Sequence, residues 1–126
     1  MIENILDSSA VLAALQNETG KEKVETVLDV SAISRINLVE VLTKLVEKGM
    51  SIDEAKETFD DLGLKVIEFD EKQSVKAAEL RPLTKHLGLS LGDRCCLALA
   101  ILENLPAVTA DKNWANLNLC RIELIR

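Results

Sequence analysis

The amino-acid sequence predicts an α/β fold in which helices cover both faces of a mainly parallel β-sheet. Short apolar runs of strand length alternate with segments of helical period along the chain, which is the pattern of such a sheet. The composition agrees, because hydrophobic residues make up 48% of the 126-residue chain while aromatic residues make up only 2%. Leu, Val, Ile and Ala must therefore build the core, and aliphatic side chains of this kind suit helices packed on strands.

Five strands are predicted, each an apolar run bounded by polar or turn residues. They lie near residues 2–6, 30–33, 65–69, 107–110 and 121–125. No repeat, low-complexity tract or linker interrupts the alternation of strands and helices. Because one compact core usually serves about 100 to 200 residues, we expect a single domain that spans residues 1–126.

Several helices are marked by an N-cap residue that is followed three positions later by an acid. The pairs that match are Thr19 with Glu22, Ser51 with Glu54, and Ser90 with Asp93. Pro82 is expected to end or bend the helix that starts after Asp70. The helix within residues 90–105 is apolar almost all round after its first turn, so it should be packed on several sides.

Charge and composition argue against several classes of function. The net charge of −6 argues against a broad basic surface for duplex DNA. Cys95, Cys96 and Cys120 have no second pair or nearby histidine to complete a zinc site, so we expect reduced and inert thiols. His86 is the only histidine, which excludes a paired-histidine ribonuclease mechanism. The chain has neither a basic leader nor an apolar run long enough to span a bilayer, so a cytoplasmic protein is expected.

Four acidic residues are expected at the same edge of the sheet. Asp7 and Asp111 end the first and fourth strands, while Glu40 and Asp93 lie in the early turns of two helices. Because a helix that links parallel strands runs antiparallel to them, all four acids lie at the carboxyl ends of the strands. Taken singly, the three aspartates are also typical of helix caps. Helical periodicity places Glu40 on a polar, solvent-exposed face together with Asn37.

The segments around these acids are more informative than the acids alone. LDSSA, NLVEVL, LSLGDRCCLALA and VTADKNW occur in the order and with the approximate spacing found in PIN domains. The whole chain closely resembles the small PIN-domain ribonuclease toxins of bacterial VapBC toxin–antitoxin pairs. This resemblance implies a three-layer α/β/α sandwich and a metal-dependent endoribonuclease. The acidic pocket of such an enzyme would consist of Asp7, Glu40, Asp93 and Asp111, with Asp111 as its most variable member. The resemblance also implies a structured RNA substrate such as tRNA or rRNA, a cognate antitoxin and a homodimer.

The chemistry of phosphodiester hydrolysis is consistent with a pocket of carboxylates. The reaction needs an activated water and positive charge beside the phosphate, and a divalent cation supplies both. Mg²⁺ and Mn²⁺ prefer carboxylate oxygens and water as ligands. We expect Asp7 and Asp93 to bind the principal ion, and Glu40 and Asp111 to complete the site directly or through water. Such an ion would also explain how an acidic protein binds RNA.

Neighbouring polar residues are expected to support the pocket rather than to react. Thr109 is expected to orient Asp111 by a hydrogen bond. Ser8 or Ser9 is expected to cap the first helix. Arg94 and Lys112 are candidate phosphate contacts, although an arginine that directly follows an acid is equally typical of an ion-pair partner.

Two other functions fit the same residues. A phosphoryl-accepting signalling domain would use Asp7 or another acid at this edge. However, Ser8 and Ser9 stand where a D-x-D phosphatase signature has its second acid. A catalytically silent PIN-like scaffold would have no reason to retain four acids.

An antitoxin-binding groove is expected on the early helices. The candidate residues are Leu12, Leu15, Leu45 and Val46, although packing in the core explains these residues equally well.

Overall fold

The computed structural model describes residues 1–126 and contains one sheet of five parallel strands. The strands are β1 (Asn4–Leu6), β2 (Ser31–Ser34), β3 (Lys65–Ile67), β4 (Ala107–Thr109) and β5 (Ile122–Leu124). Their order across the sheet is β3-β2-β1-β4-β5, and every neighbouring pair is parallel. All five predicted strands are confirmed, with ends shifted by two residues at most.

Six α-helices and three short 3-10 turns connect these strands. The helices are α1 (Ser8–Leu15), α2 (Lys21–Glu25), α3 (Arg35–Glu47), α4 (Ile52–Asp60), α5 (Glu71–Thr84) and α6 (Leu91–Glu103). The 3-10 turns are Leu28–Val30, Lys85–Leu87 and Lys112–Trp114. Pro82 lies in the last turn of α5, which ends two residues later, as predicted. No helix is long and apolar enough to cross a membrane.

The predicted helix caps are correct in two of three cases. Ser51 and Ser90 form capping boxes with the acid three residues on, each through a pair of side-chain and backbone hydrogen bonds. The prediction for Thr19 is wrong, because Gly20 precedes α2 with a left-handed backbone at φ 98° and no side-chain cap. A Cβ at Gly20 would lie 2.6 Å from the carbonyl oxygen of Ile125. Glycine is therefore required here by a residue that is far away in the sequence.

The buried apolar residues form two clusters, one on each face of the sheet. Leu6 and Ile33 belong to the cluster under α1 to α4, while Ile5 and Ala32 belong to the cluster under α5 and α6. Successive residues of a strand point to opposite faces, so each strand contributes to both clusters. The predicted three-layer α/β/α sandwich is therefore confirmed.

Helix α6 occupies the centre of one layer and brings its first turn to the carboxyl edge of the sheet. It contacts β1, β2, β4, α3 and α5, and residues 95–100 are all buried, as its apolar sequence predicted. Cys95, Cys96 and Cys120 are free thiols. Burial raises the pKa of all three, so they remain protonated at neutral pH as expected.

Most of the apolar residues proposed for a groove on the early helices pack against the core. Leu45 is 2% exposed and packs in the core, so its assignment to a partner groove is wrong. Leu12 and Leu15 are partly buried against the same core cluster. Of the four candidates only Val46 remains well exposed, because it lies on the outer side of α3.

Candidate active site

Two of the four acids are joined by one hydroxyl group. Asp7 and Asp111 directly follow β1 and β4, which are neighbours in the sheet. The Thr109 hydroxyl donates to Asp7 Oδ2 at 2.5 Å and accepts from the Asp111 backbone N–H at 3.0 Å. The predicted bond between Thr109 and Asp111 is confirmed. The structure adds the bond to Asp7, so Thr109 orients both residues.

Asp7 is also the N-cap of α1. Its Oδ1 accepts from the Ala10 N–H at 2.9 Å and from the Ser9 hydroxyl at 2.7 Å. Ser9 Oγ in turn accepts from the Ala110 N–H at 2.9 Å, which ties the start of α1 to the end of β4. The prediction that a serine caps this helix is wrong, because Asp7 itself occupies the cap position and its side chain accepts from the free Ala10 N–H.

Burial makes the Asp7 carboxylate costly to ionise. The residue is only 3% exposed. Burial raises its pKa from 3.8 to about 6, against the lowering effect of the hydrogen bonds from Thr109, Ala10 and Ser9, and Asp93 adds a smaller repulsion that also raises it. A positive charge near Asp7 would relieve this penalty, which is the electrostatic setting expected of a cation ligand.

Asp93 lies in the first turn of α6, and its carboxyl group is also partly buried. One of its oxygens, Oδ2, accepts from the Ser90 N–H at 2.9 Å and closes the capping box. Burial raises the pKa of Asp93, the Ser90 bonds lower it, and the carboxylates of Asp111 and Glu40 raise it further. The capping interpretation is therefore correct for Asp93, yet this cap also lies among the other acids.

Glu40 does not lie on a solvated helix face, contrary to the periodicity of α3. Glu40 is half-buried, and Asn37 is only 1% exposed. Asn37 Nδ2 donates to Glu40 Oε1 at 2.8 Å and to the Gly92 carbonyl oxygen at 3.0 Å. Because α3 packs against α6, the side of α3 that carries Asn37 and Glu40 faces another helix instead of water.

The four acids lie in two neighbouring pairs, and the buried thiol of Cys96 is affected by three of them. Its pKa is raised well above the ordinary value, first by burial and then by Asp7, Cys120, Asp93 and Glu40 in that order. Thr109 connects Asp7 to the Asp111 backbone, and the Glu40 carboxylate lies against Gly92, which directly precedes Asp93. No three His, Cys, Asp or Glu side chains stand close enough to share one metal ion directly. The carboxylates supply the oxygen donors that a hydrated Mg²⁺ or Mn²⁺ prefers, so water would complete the ligand set.

Arg94 bonds to none of the four acids. Its Nη1 donates to the Ala77 carbonyl oxygen of α5 at 2.9 Å, and it forms no ion pair with any acid. The predicted ion pair is therefore wrong, while the predicted phosphate contact stays a prediction. Neighbouring residues on a helix point about 100° apart, so Arg94 faces α5 while Asp93 faces the carboxyl edge.

Sequence reasoning missed two residues that shape the site, Asn37 and Gly92. A signal for Asn37 is its position three residues before Glu40, a spacing that brings two side chains together on a helix. A signal for Gly92 is its place within an otherwise strongly helical segment, where glycine is unfavourable unless another group approaches closely.

These features define a parallel α/β domain with an acidic site at the carboxyl edge of its sheet. The family model described as PIN domain matches residues 5–118, and the chain belongs to the PIN domain family. The predicted resemblance is thereby confirmed. No curated protein matches the chain in sequence.

Solved structures share the fold over nearly the whole chain. One is DNA-bound VapBC from Salmonella typhimurium, with 20% identity, 100% of both chains covered and a TM-score of 0.80. VapBC2 from Rickettsia felis, bound to a promoter DNA fragment, has 23% identity, 98% of both chains covered and a TM-score of 0.76. VapBC-5 from Mycobacterium tuberculosis has 21% identity, coverage of 98% of this chain and 99% of that one, and a TM-score of 0.68.

Proposed function

We propose that this protein is a metal-dependent endoribonuclease that acts as the toxin of a toxin–antitoxin pair. The supporting observation is that Thr109 connects Asp7 to Asp111 and that the Glu40 carboxylate lies against Gly92, next to Asp93, in a chain of the PIN domain family. Helix capping explains Asp7 and Asp93, but it gives no reason for Glu40 to lie beside Asp93, because the repulsion between the two carboxylates opposes this arrangement. A divalent cation bound between the carboxylates would neutralise this repulsion. The whole chain, residues 1–126, acts as one catalytic domain in this proposal.

The four acids have distinct roles in the proposed site. Asp7 and Asp93 hold the principal Mg²⁺ or Mn²⁺, and Glu40 and Asp111 complete the site directly or through water. When bound, such an ion lowers the pKa of a water and neutralises charge on the phosphate. Thr109 fixes the Asp7 carboxylate by its hydrogen bond, so this ligand needs no reorganisation. One of the carboxylates accepts the proton of the attacking water.

The proposed substrate is a structured RNA such as tRNA or rRNA. The net charge of −6 leaves little general attraction for a polyanion, so binding depends on the local charge that the ions reverse. The cognate partner is an antitoxin protein, by analogy with the VapBC complexes that share the fold. A homodimer in the cytoplasm completes the proposal.

The Asp7 environment disfavours the signalling alternative. A phosphoryl-accepting aspartate must admit a bulky phosphodonor to its oxygen, and Asp7 is only 3% exposed, which leaves less room for such a donor than for a single cation on the remaining lone pairs. A silent scaffold remains the alternative that an experiment must separate from the nuclease.

The test is cleavage of end-labelled tRNA and rRNA fragments by the purified protein with Mn²⁺, with Mg²⁺ and with EDTA. Asp7→Asn, purified in the same way, controls for contaminating ribonucleases. Metal-dependent cuts that are lost in Asp7→Asn support the nuclease. No cutting, combined with acyl-phosphate formation from a small phosphodonor, supports the signalling domain. No cutting and no phosphorylation support the scaffold.

A further inference from the structure

Building on the nuclease function proposed above, we infer that Asn37 and Gly92 are positioning residues that seat the Glu40 carboxylate beside Asp93. Asn37 holds one oxygen of Glu40 from within α3. Gly92 leaves the space on α6 that the carboxylate fills. Together they bring an acid from one helix to the first turn of another.

The orientation of the Asn37 side chain is fixed by its partners. Both Glu40 Oε1 and the Gly92 carbonyl oxygen are acceptors, so only the NH₂ group of Asn37 can face them. Asn37 Oδ1 is consequently buried without a hydrogen-bond partner. A buried acceptor without a partner opposes folding, and an aliphatic residue would avoid this cost. The amide is therefore better explained by what it does for Glu40 than by stability.

Glycine is needed at position 92 to leave room for the Glu40 side chain, and not to allow an unusual backbone conformation. It lies inside α6 and is not among the glycines with a left-handed backbone, so alanine would fit the helix and favour it. A Cβ at this position would lie 2.6 Å from Glu40 Oε1 and closer still to Glu40 Oε2. Its three nearest atoms all belong to the Glu40 carboxyl group. Because that group ends a flexible side chain, a methyl group would displace the carboxylate and leave α6 in place.

The position of the Glu40 carboxylate matters because it brings an acid from α3 next to Asp93 on α6. Gly92 directly precedes Asp93, and the Glu40 carboxylate lies close enough to Asp93 to repel it. Displacing the carboxylate from Gly92 would move one donor away from the proposed cation. The fold should keep its core, because Gly92→Ala adds only one methyl group next to a flexible side chain and Asn37→Leu puts a branched apolar side chain of similar shape at a buried position.

The test compares Gly92→Ala, Asn37→Leu and Glu40→Ala with wild type, together with the double variant Glu40→Ala/Gly92→Ala. Free Mn²⁺ is measured by electron paramagnetic resonance during titration, and thermal melting is measured in EDTA. Cleavage of labelled tRNA is followed under single turnover. The expected result is that Gly92→Ala and Asn37→Leu each weaken Mn²⁺ binding by about 10- to 100-fold, as loss of a ligand-orienting residue usually does.

Two further readouts separate positioning from a structural role. Gly92→Ala should melt in EDTA at the wild-type temperature or above it, since the substitution favours the helix. In the Glu40→Ala background the same change should leave Mn²⁺ affinity unaltered within about two-fold, since it acts only through Glu40.

The outcomes distinguish this inference from the proposed function. If wild type binds Mn²⁺ and cuts RNA but Gly92→Ala and Asn37→Leu do so equally well, the positioning role is overturned and the nuclease stands. If Gly92→Ala weakens binding even without Glu40, the effect is structural and the positioning role is again overturned. If wild type neither binds Mn²⁺ nor cuts RNA, the nuclease and the positioning role are both overturned.

Discussion

Replacing Asp7 with Asn should stabilise the metal-free protein at neutral pH while it abolishes RNA cleavage. The substitution keeps the helix cap, because the amide oxygen can accept from the Ala10 N–H as Oδ1 does now. The amide NH₂ can then donate to the Thr109 hydroxyl, which turns its own proton toward Ser9 at 3.3 Å. The polar network survives, and only the buried negative charge is removed.

The size of the effect follows from the pKa of Asp7. Burial raises this pKa from 3.8 to about 6 in the folded state. The folded state therefore binds more protons than the unfolded state between these values, so stability falls as the pH rises through this range. The difference corresponds to about 3 kcal/mol of unfolding free energy, absent well below about pH 4 and complete above about pH 7.

Urea unfolding in EDTA at pH 4 and pH 7.5 measures this effect. Relative to Asp7→Asn, wild type should lose about 2.5 kcal/mol between the two pH values, because part of the penalty is already present at pH 4. Asp70→Asn is the matched control, because Asp70 caps α5 by the same kind of bond but is exposed, and no such gain is expected there. Parallel pH dependence of wild type and Asp7→Asn, or a less stable variant at pH 7.5, would refute the burial penalty.

Three further predictions concern other parts of the molecule. Asp93→Asn should raise the melting temperature in EDTA by less than Asp7→Asn, because Asp93 is less buried, and should abolish cleavage; an unchanged or lower melting temperature in calorimetry contradicts this. Ser51→Ala should cost about 1 kcal/mol in urea unfolding through loss of the α4 cap, with cleavage unchanged. Cys96 should stay unmodified by a thiol reagent in the folded protein, and its rapid labelling would contradict its complete burial.

Strand positions could be predicted because their signals are local. Apolar runs and turn residues lie within each segment, so each strand could be located without knowledge of its neighbours in the sheet. The prediction that Thr19 caps α2 failed because the contact that determines this helix start is not local. Gly20 is needed because the chain end at Ile125 packs against it, and no local pattern encodes a contact between residues so far apart.

The location of the acids at one edge could also be predicted, but not all of their surroundings. The rule that strand ends meet at one edge locates Asp7 and Asp111 without any side-chain detail. Helical periodicity failed for Glu40, because it assumes that a polar face meets water. Here the polar face of α3 packs on α6 through Asn37, and a hydrogen bond replaces the apolar contact that periodicity detects.

A crystal soaked in Mn²⁺ and measured for anomalous scattering tests most directly whether the acids hold a cation. Asp7, Glu40, Asp93 and Asp111 should surround a strong anomalous peak, with Asp7 and Asp93 nearest to it. The same soak of Asp7→Asn should show a weaker peak or none. Saturating Mn²⁺ with no peak among these carboxylates, or with peaks only elsewhere on the surface, would contradict the proposed metal site.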